Sequence, residues 1–395
     1  MACGDWQALL FEMTNLEVEL MKVGILTITN GENYGNRLQN YAVQYVLESL
    51  GCEVETIRNT TEQRKISKIK DKLNIISPIY NVIGIKKIQL LNRLLRAYRF
   101  NEFTKKYIHK SKFIINKNLI PIDIKSYYDY FVCGSDQIWN PKFYFNSEID
   151  FLTFASPEQR IAYAPSFGID EIPKEKVDEY KKLINGIRCL SVREKSGAKI
   201  IKTLTGREAE VLIDPTLMLT KKEWLKISSK PKINLNERYM LIYFLGILSE
   251  ETKEDIKNIS KENGLKIINL LDVSNKESSF FNPEEFIYLI NNAELMCTDS
   301  FHGVAFSILM NTNFLVFLRK GASYSMNSRM ENILELFNMK DRIYEECKDK
   351  ESFFNMNFNK VEKILDRERK KALEYLKTSL KIEICSKEMG REVNG

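Results

Sequence analysis

The chain alternates between two hydrophobic periods. Met21–Thr29, MKVGILTIT, is a short apolar run rich in β-prone residues, which predicts a buried strand, and it breaks at the turn-forming stretch NGENYGNR. From Asn36 the period lengthens: Leu38, Tyr41, Ala42, Tyr45, Val46 and Leu50 share one face of a helix that Gly51 stops. CEVETIR then supplies a second strand. Strand, loop, helix and strand in that order form a βαβ unit and predict a parallel sheet.

Residues 60 to about 125 interrupt this alternation with a basic, Ile- and Leu-rich segment that reads as a helical insertion. The rhythm returns at YYDYFVCGSDQIWNP, RIAYAPSFG, CLSVREKSGAKIIKTL and AEVLIDPTLML, each leading from β-prone residues into a polar, Gly- or Pro-containing turn. Periodicity fades over 220–237, which predicts a linker. Beyond it YMLIYFLG, LKIINLLDV, ELMCTDS and FLVFLR read as strands, with SEETKEDIKNISKENG, NPEEFIYLINNA and FHGVAFSILMN as helices between them. The expected architecture is α/β, with Rossmann-like domains over 21–220 and 238–357 facing across a cleft. A long helix closes the chain within 358–395, and residues 1–20 read as an extension.

The composition fits two globular domains. A length of 395 residues exceeds what one hydrophobic core usually serves, and 44% hydrophobic with 28% charged residues excludes global disorder. The net charge of +6 permits anionic partners without pointing to nucleic acid. Seven scattered cysteines with no C-x-x-C pair predict reduced thiols. The opening residues carry Asp5, Glu12, Glu17 and Glu19 without a basic n-region, so no signal peptide is expected, and no apolar run reaches membrane-spanning length. These features predict a soluble cytoplasmic protein.

Candidate chemistry collects at predicted strand ends, where open α/β sheets bind ligands. Of the two histidines, His109 lies in a lysine-rich, surface-like stretch, whereas His302 lies in CTDSFHGVAF. If LMCT is a strand and GVAFSILM a helix, then Asp299, Ser300, Phe301 and His302 sit at the positive end of that helix, a place that favours an anion. The alternative is that Asp299 or Ser300 only caps the helix and His302 packs nearby. No metal is expected, because no second histidine or cysteine cluster accompanies His302. Arg193 in SVRE follows a strand and can hold a carboxylate or phosphate with its fork. Gly134, Ser135 and Asp136, then Asn33, Gly35 and Asn36, and finally Arg319, Lys320, Ser328 and Arg329 occupy comparable positions. Their shared location argues for an anionic ligand in the cleft.

The ordered set TITNGENYGNRLQNYAVQ, VCGSDQIWNP, YAPSFG, LSVRE, VLIDPTLML, CTDSFHGVAFSILMN and NSRMENILELF resembles the polysaccharide pyruvyl transferase family over most of residues 21–345. The resemblance implies a two-domain fold like that of GT-B glycosyltransferases, with the C-terminal helix returning toward the first domain. It implies transfer of pyruvate from phosphoenolpyruvate to a sugar, commonly as a cyclic ketal, with no further cofactor. By that likeness Arg193 matches the arginine of the family's S-x-R-[DE] segment, and His302 the histidine of its arginine-x-histidine signature. That signature here reads Ser300-Phe301-His302, so Arg319 or Arg329 is expected to supply the missing charge.

A donor bearing a carboxylate and a phosphate needs fixed cations and helix-end amides. Arg193, Ser300, Arg319, Arg329, Asn36 and Gly35 are the expected donor-side residues, with Asn33 and Ser135 on the acceptor side. Protonating the donor methylene and deprotonating sugar hydroxyls requires an acid and a base, for which an imidazole is suited near neutrality. His302 is the first candidate, and Asp136 and Asp299 are the carboxylate candidates, with no choice between them from sequence. A GT-B glycosyltransferase using a nucleotide sugar, or a non-catalytic anion- or glycan-binding module, are the rival classes. The resemblance also implies acceptors built on a lipid carrier. Ile85, Ile88, Leu90, Leu91, Leu94 and Leu95, mixed with Lys86, Lys87, Arg93, Arg96 and Arg99, can form a basic amphipathic helix. Such a helix would either rest on the anionic inner leaflet or pack its apolar side on the first domain.

Overall fold

The computed structural model describes residues 20–29, 31–61, 84–143, 146–272, 281–319, 327–347 and 350–382. Strands β1 (Lys22–Leu26), β2 (Glu53–Asn59), β3 (Lys110–Ile115), β4 (Tyr130–Cys133) and β5 (Arg160–Ala162) form a parallel sheet in the order β3-β2-β1-β4-β5. Two short strands, β6 (Ser191–Val192) and β7 (Glu210–Val211), pair beside it. The second sheet is also parallel, in the order β11-β10-β8-β9, from β8 (Tyr239–Tyr243), β9 (Lys266–Asn269), β10 (Leu295–Thr298) and β11 (Phe314–Val316). β8 and β10 are buried along their whole length, as parallel strands covered on both faces must be.

The helices are α1 (Tyr34–Ser49), α2 (Gly84–Tyr107), α3 (Val177–Asn185), α4 (Lys195–Thr205), α5 (Lys221–Ile227), α6 (Glu250–Glu262), α7 (Pro283–Asn291), α8 (Phe301–Met310), α9 (Ser328–Leu336) and α10 (Val361–Ser379). Three features depart from the pattern reading. The segment 60–125 is no simple insertion: α2 crosses over to β3, which pairs with β2 and so forms the edge of the first sheet. The alternation of β3 is present, but its exposed positions are Lys110, Lys112 and the apolar Ile114, and its buried ones include Ser111. The stretch after 220 opens with α5, whose capping box joins Thr220 and Glu223 and whose Trp224 is fully buried. Seven residues are too few for a helical period to show.

The third departure concerns α2. Its described part buries Asn92, Arg96, Phe100 and Phe103 and exposes Arg93, Leu94, Leu95 and Tyr98. Arg96 therefore cannot be a membrane-facing charge. Its guanidinium lies 4.8 Å from the Tyr34 ring centre and donates 2.9 Å to Leu270 O in the second domain. Aromatic faces and carbonyls can accept a planar, weakly hydrated cation in this way. The side chains of Lys86 and Lys87 lie outside the described residues.

An aromatic core joins the domains. Tyr34 of α1 stacks on Phe286 of α7 at 4.5 Å and meets Tyr243 of β8 edge-on at 5.6 Å. Phe306 of α8 packs on Trp224 and Phe286. α8 is buried at every residue, which explains its nearly all-apolar sequence. α10 runs back to the first domain, where Tyr375 Oη donates to Ala162 O at 2.7 Å and Arg369 donates to Leu217 O and Leu219 O. The described cysteines, Cys52, Cys133, Cys189, Cys297 and Cys347, are free thiols.

Candidate active site

The first turns of two helices, one from each domain, meet at His302. Asn33 caps α1, accepting from Asn36 N, and Ser300 caps α8, accepting from Gly303 N. The α1 turn fits against His302 because it carries Gly35 at the contact, and Gly303 lets the α8 turn sit close on Thr298 of β10. A Cβ on Gly35 would lie 1.9 Å from His302 Nδ1, and one on Gly303 would lie 2.6 Å from Thr298 Oγ1. Two positive helix ends therefore face one space.

Beneath His302 lies a buried ion network, in which Arg193 Nε and Nη2 have no hydrogen-bond partner among the described residues. Arg193, just past β6, pairs through Nη1 with Asp214, and its Nη2 lies 3.6 Å from Asp136 Oδ1. The guanidinium sits 4.4 Å from the Phe301 ring centre. Asp214 accepts at Oδ1 from Thr216 N and Thr216 Oγ1, and its Oδ2 lies 3.0 Å from Ser135 Oγ and 3.7 Å from His302 Nε2. Burial opposes the charge on Asp214, but Arg193 and His302 hold its carboxyl well below the usual carboxylate range. Burial likewise opposes the charge on Arg193, and Asp214, Asp136 and Glu194 outweigh it, so this guanidinium stays firmly protonated.

Above this floor is a pocket of about 230 Å³ bordered by Asn33, Asn36, Asp136, Ser300, His302, Arg319 and Arg329. Asp136 sits at φ +61°, a left-handed conformation that a residue with a Cβ rarely adopts. Arg329 is buried, and its Nε has no partner among the described residues. The Gln137 carboxamide, with its oxygen turned to the guanidinium, accepts at 3.0 and 3.2 Å. Burial and the neighbouring Arg193 push the Arg329 guanidinium down to about 10. Arg319 reaches the pocket from the end of β11, with Nε donating 2.8 Å to Asp299 Oδ2.

Some of the expected residues lie elsewhere. Ser135 is fully buried, with its hydroxyl 2.9 Å from Ala164 O and 3.0 Å from Asp214 Oδ2, so it cannot contact an acceptor. Asp299 has both carboxylate oxygens engaged, accepting from Leu245 N, Gly246 N and Arg319 Nε, and so fixes the loop after β8 instead of serving as a base. Arg193 does not border the pocket. It lines a neighbouring cavity of about 310 Å³ that shares Phe301 and Arg329 with the pocket. Asp214 and Gln137 went unselected in the sequence. The signal for Asp214 was available: an acid closing the apolar run VLI, three residues past the end of β7, is comparable to Arg193 after β6.

The ensemble is that of a two-domain α/β protein, GT-B-like in its layout, with a pocket bordered by His302, Arg319 and Arg329 where the domains meet. Residues 33–321 match the sequence family described as polysaccharide pyruvyl transferase, and the chain belongs to that family. No curated protein matches it in sequence. Similar solved structures include a UDP-N-acetylglucosamine 2-epimerase, 11% identical, covering 95% of this chain and 99% of that one with a TM-score of 0.46. The UDP-GlcNAc 2-epimerase of Methanocaldococcus jannaschii is 14% identical over 88% of this chain and 99% of its own, with a TM-score of 0.41. The glycosyltransferase SnogD of Streptomyces nogalater is 10% identical over 91% and 100%, with a TM-score of 0.40. The fold assignment rests on the two parallel sheets themselves. Among the described residues no helix is long and apolar enough to cross a membrane.

Proposed function

We propose that this protein moves pyruvate from phosphoenolpyruvate to two hydroxyls of a glycan, closing a cyclic ketal and releasing phosphate. The observation that supports this most is the convergence of Arg329, Arg319, His302 and the first turns of α1 and α8 on one pocket. A small, doubly anionic donor suits such surroundings. Ser300 stands where the family signature has arginine. Arg319, held against Asp299 beside it, brings a guanidinium to the same pocket.

In this reading a proton adds to the donor methylene, and the first sugar hydroxyl forms a C–O bond to the resulting electron-poor carbon while losing its proton. The second hydroxyl then forms its own C–O bond as the C–O bond to phosphate breaks. His302, with Asp214 behind it as counter-charge, is the proton carrier at the donor. Asp136 is the better base, because it borders the pocket while Asp299 is occupied. The reaction belongs in the cytoplasm, where phosphoenolpyruvate is made. Peripheral membrane contact through α2 would rest on the exposed Arg93, Leu94 and Leu95, and co-sedimentation with anionic vesicles tests it.

The deciding experiment incubates the protein with phosphoenolpyruvate and candidate glycans, including lipid-linked ones. Phosphate release matched by a ketal methyl signal in the proton NMR spectrum is the expected result. Sugar transfer from a nucleotide sugar, without phosphate release from phosphoenolpyruvate, would replace this reading with a glycosyltransferase.

A further inference from the structure

A second basic pocket, of about 590 Å³, lies between α2, the outer strands β2 and β3, and the loop from β1 to α1. Three cations line it: Arg37 from α1, Arg58 from β2 and Lys110 from β3. Glu32 is the one carboxylate among the described lining residues, and it lies 3.6 Å from Arg96. Arg37 is buried and held by Thr29 O and Gly31 O, while its Nε has no partner among the described residues. Arg58 commits one N–H to Lys112 O, and Lys110 has no carboxylate partner among the described residues. Three cations facing one carboxylate leave an excess of positive charge, which is costly unless an anion or water compensates it. Consistent with this, partial desolvation together with Arg37 and Arg58 pushes the Lys110 ammonium down although the residue stays exposed, and burial, opposed by Glu32, pushes Arg37 down to about 10.

The loop that walls this pocket also borders the pocket at His302. Thr29, Gly31, Glu32 and Arg37 face one, and Ile28, Asn33 and Asn36 face the other. We infer that the Arg37–Arg58–Lys110 pocket binds a phosphate or diphosphate group carried by the acceptor, which anchors the glycan on one side of the loop while its hydroxyls react on the other. A carboxylate would need only one fork, whereas three cations with a single screened acid suit a group of two or more charges. The acceptor assignment rests on the pyruvyl-transfer reading. The anion site does not.

The experiment titrates inorganic pyrophosphate into the full chain by calorimetry and compares the parent with Arg58→Glu/Lys110→Glu, two exposed positions at which reversal leaves the core untouched. Loss of roughly tenfold or more in pyrophosphate affinity, at an unchanged melting temperature, is expected. Equal affinity in the two proteins, or displacement of pyrophosphate by phosphoenolpyruvate, would overturn the site by moving the anion to the His302 pocket. If the variant loses pyrophosphate while phosphoenolpyruvate binds neither protein, the site stands and the pyruvyl reading fails. To separate a group on the acceptor from free phosphate, kcat/KM is compared for one glycan with and without a terminal diphosphate. The parent's preference for the phosphorylated form should fall about tenfold in the variant. An unchanged preference would overturn the acceptor assignment.

Discussion

Arg193 and Arg329 are both buried, both at the domain junction, and close enough to repel each other, yet their surroundings are opposite. Arg193 is closed in by Asp214, Asp136 and Glu194, and these carboxylates raise its affinity for its proton despite burial. Among the described residues Arg329 has no pairing carboxylate at hydrogen-bond distance; it leans on the neutral Gln137 and is pushed the other way. A buried cation that is already neutralised holds architecture together. One that is not would, in the pyruvyl-transfer reading, receive the incoming anion. The difference divides the junction into a structural floor and a receptive wall, although sequence position alone would give both arginines the same role.

The largest expected effect comes from breaking the floor. Asp214→Asn keeps the shape but removes the carboxylate in direct contact with Arg193, leaving only the more distant Asp136 and Glu194 to compensate it, which should cost about 3–5 kcal/mol in denaturant unfolding. A loss below about 1 kcal/mol would mean that the network is not structural. On the wall the sign should reverse. Arg329→Gln removes a repelled cation, so unfolding stability should hold or rise, while phosphoenolpyruvate affinity falls by about 1.5–3 kcal/mol in calorimetry. Stability loss with unchanged affinity would collapse the distinction between the two arginines.

This division also marks where the sequence stops being readable. Strand ends, the His302 helix start and the two parallel sheets follow from local periodicity, because β1, β8 and β10 are continuous apolar runs and Ser300 is a good cap. What periodicity does not encode is which strand-end residues face each other in space. Arg193, Ser135 and Asp299 look like ligand-binding residues in sequence, and their partners Asp214, Ala164 O and Gly246 N lie 21, 29 and 53 residues away. Arg96 was misplaced for the same reason. A basic helix normally turns its arginines to solvent, and only the Tyr34 ring and Leu270 O, brought over by the fold, make burial acceptable.

A smaller effect tests whether the wall depends on the fit of two helix ends. Gly35→Ala places a methyl 1.9 Å from His302 Nδ1, so either the ring or the first turn of α1 must shift. Overpacking of this kind should cost about 1–3 kcal/mol of stability. A displacement near 1 Å at the imidazole should lower kcat by up to about a hundredfold. Normal turnover with an intact fold would show that His302 is not positioned by α1, and the comparison would then concern the arginines alone.

The smallest effect is a predicted constancy. The folded carboxyl of Asp214 is held below its unfolded value of roughly 3.9, so its contribution to stability is complete above that value and is lost as pH falls through the folded value. Between about pH 5 and 8 the stability gap between the parent and Asp214→Asn should therefore stay level, closing only in acid. Phosphoenolpyruvate affinity is free to change over the same range, because a phosphate ester takes up its second proton near roughly pH 6. Unfolding and binding measured on the same protein across that range separate the floor from the wall. A gap that slopes between about pH 6 and 8 would mean that Asp214 shares a titrating proton with His302, 3.7 Å away, and that floor and wall act as one coupled unit.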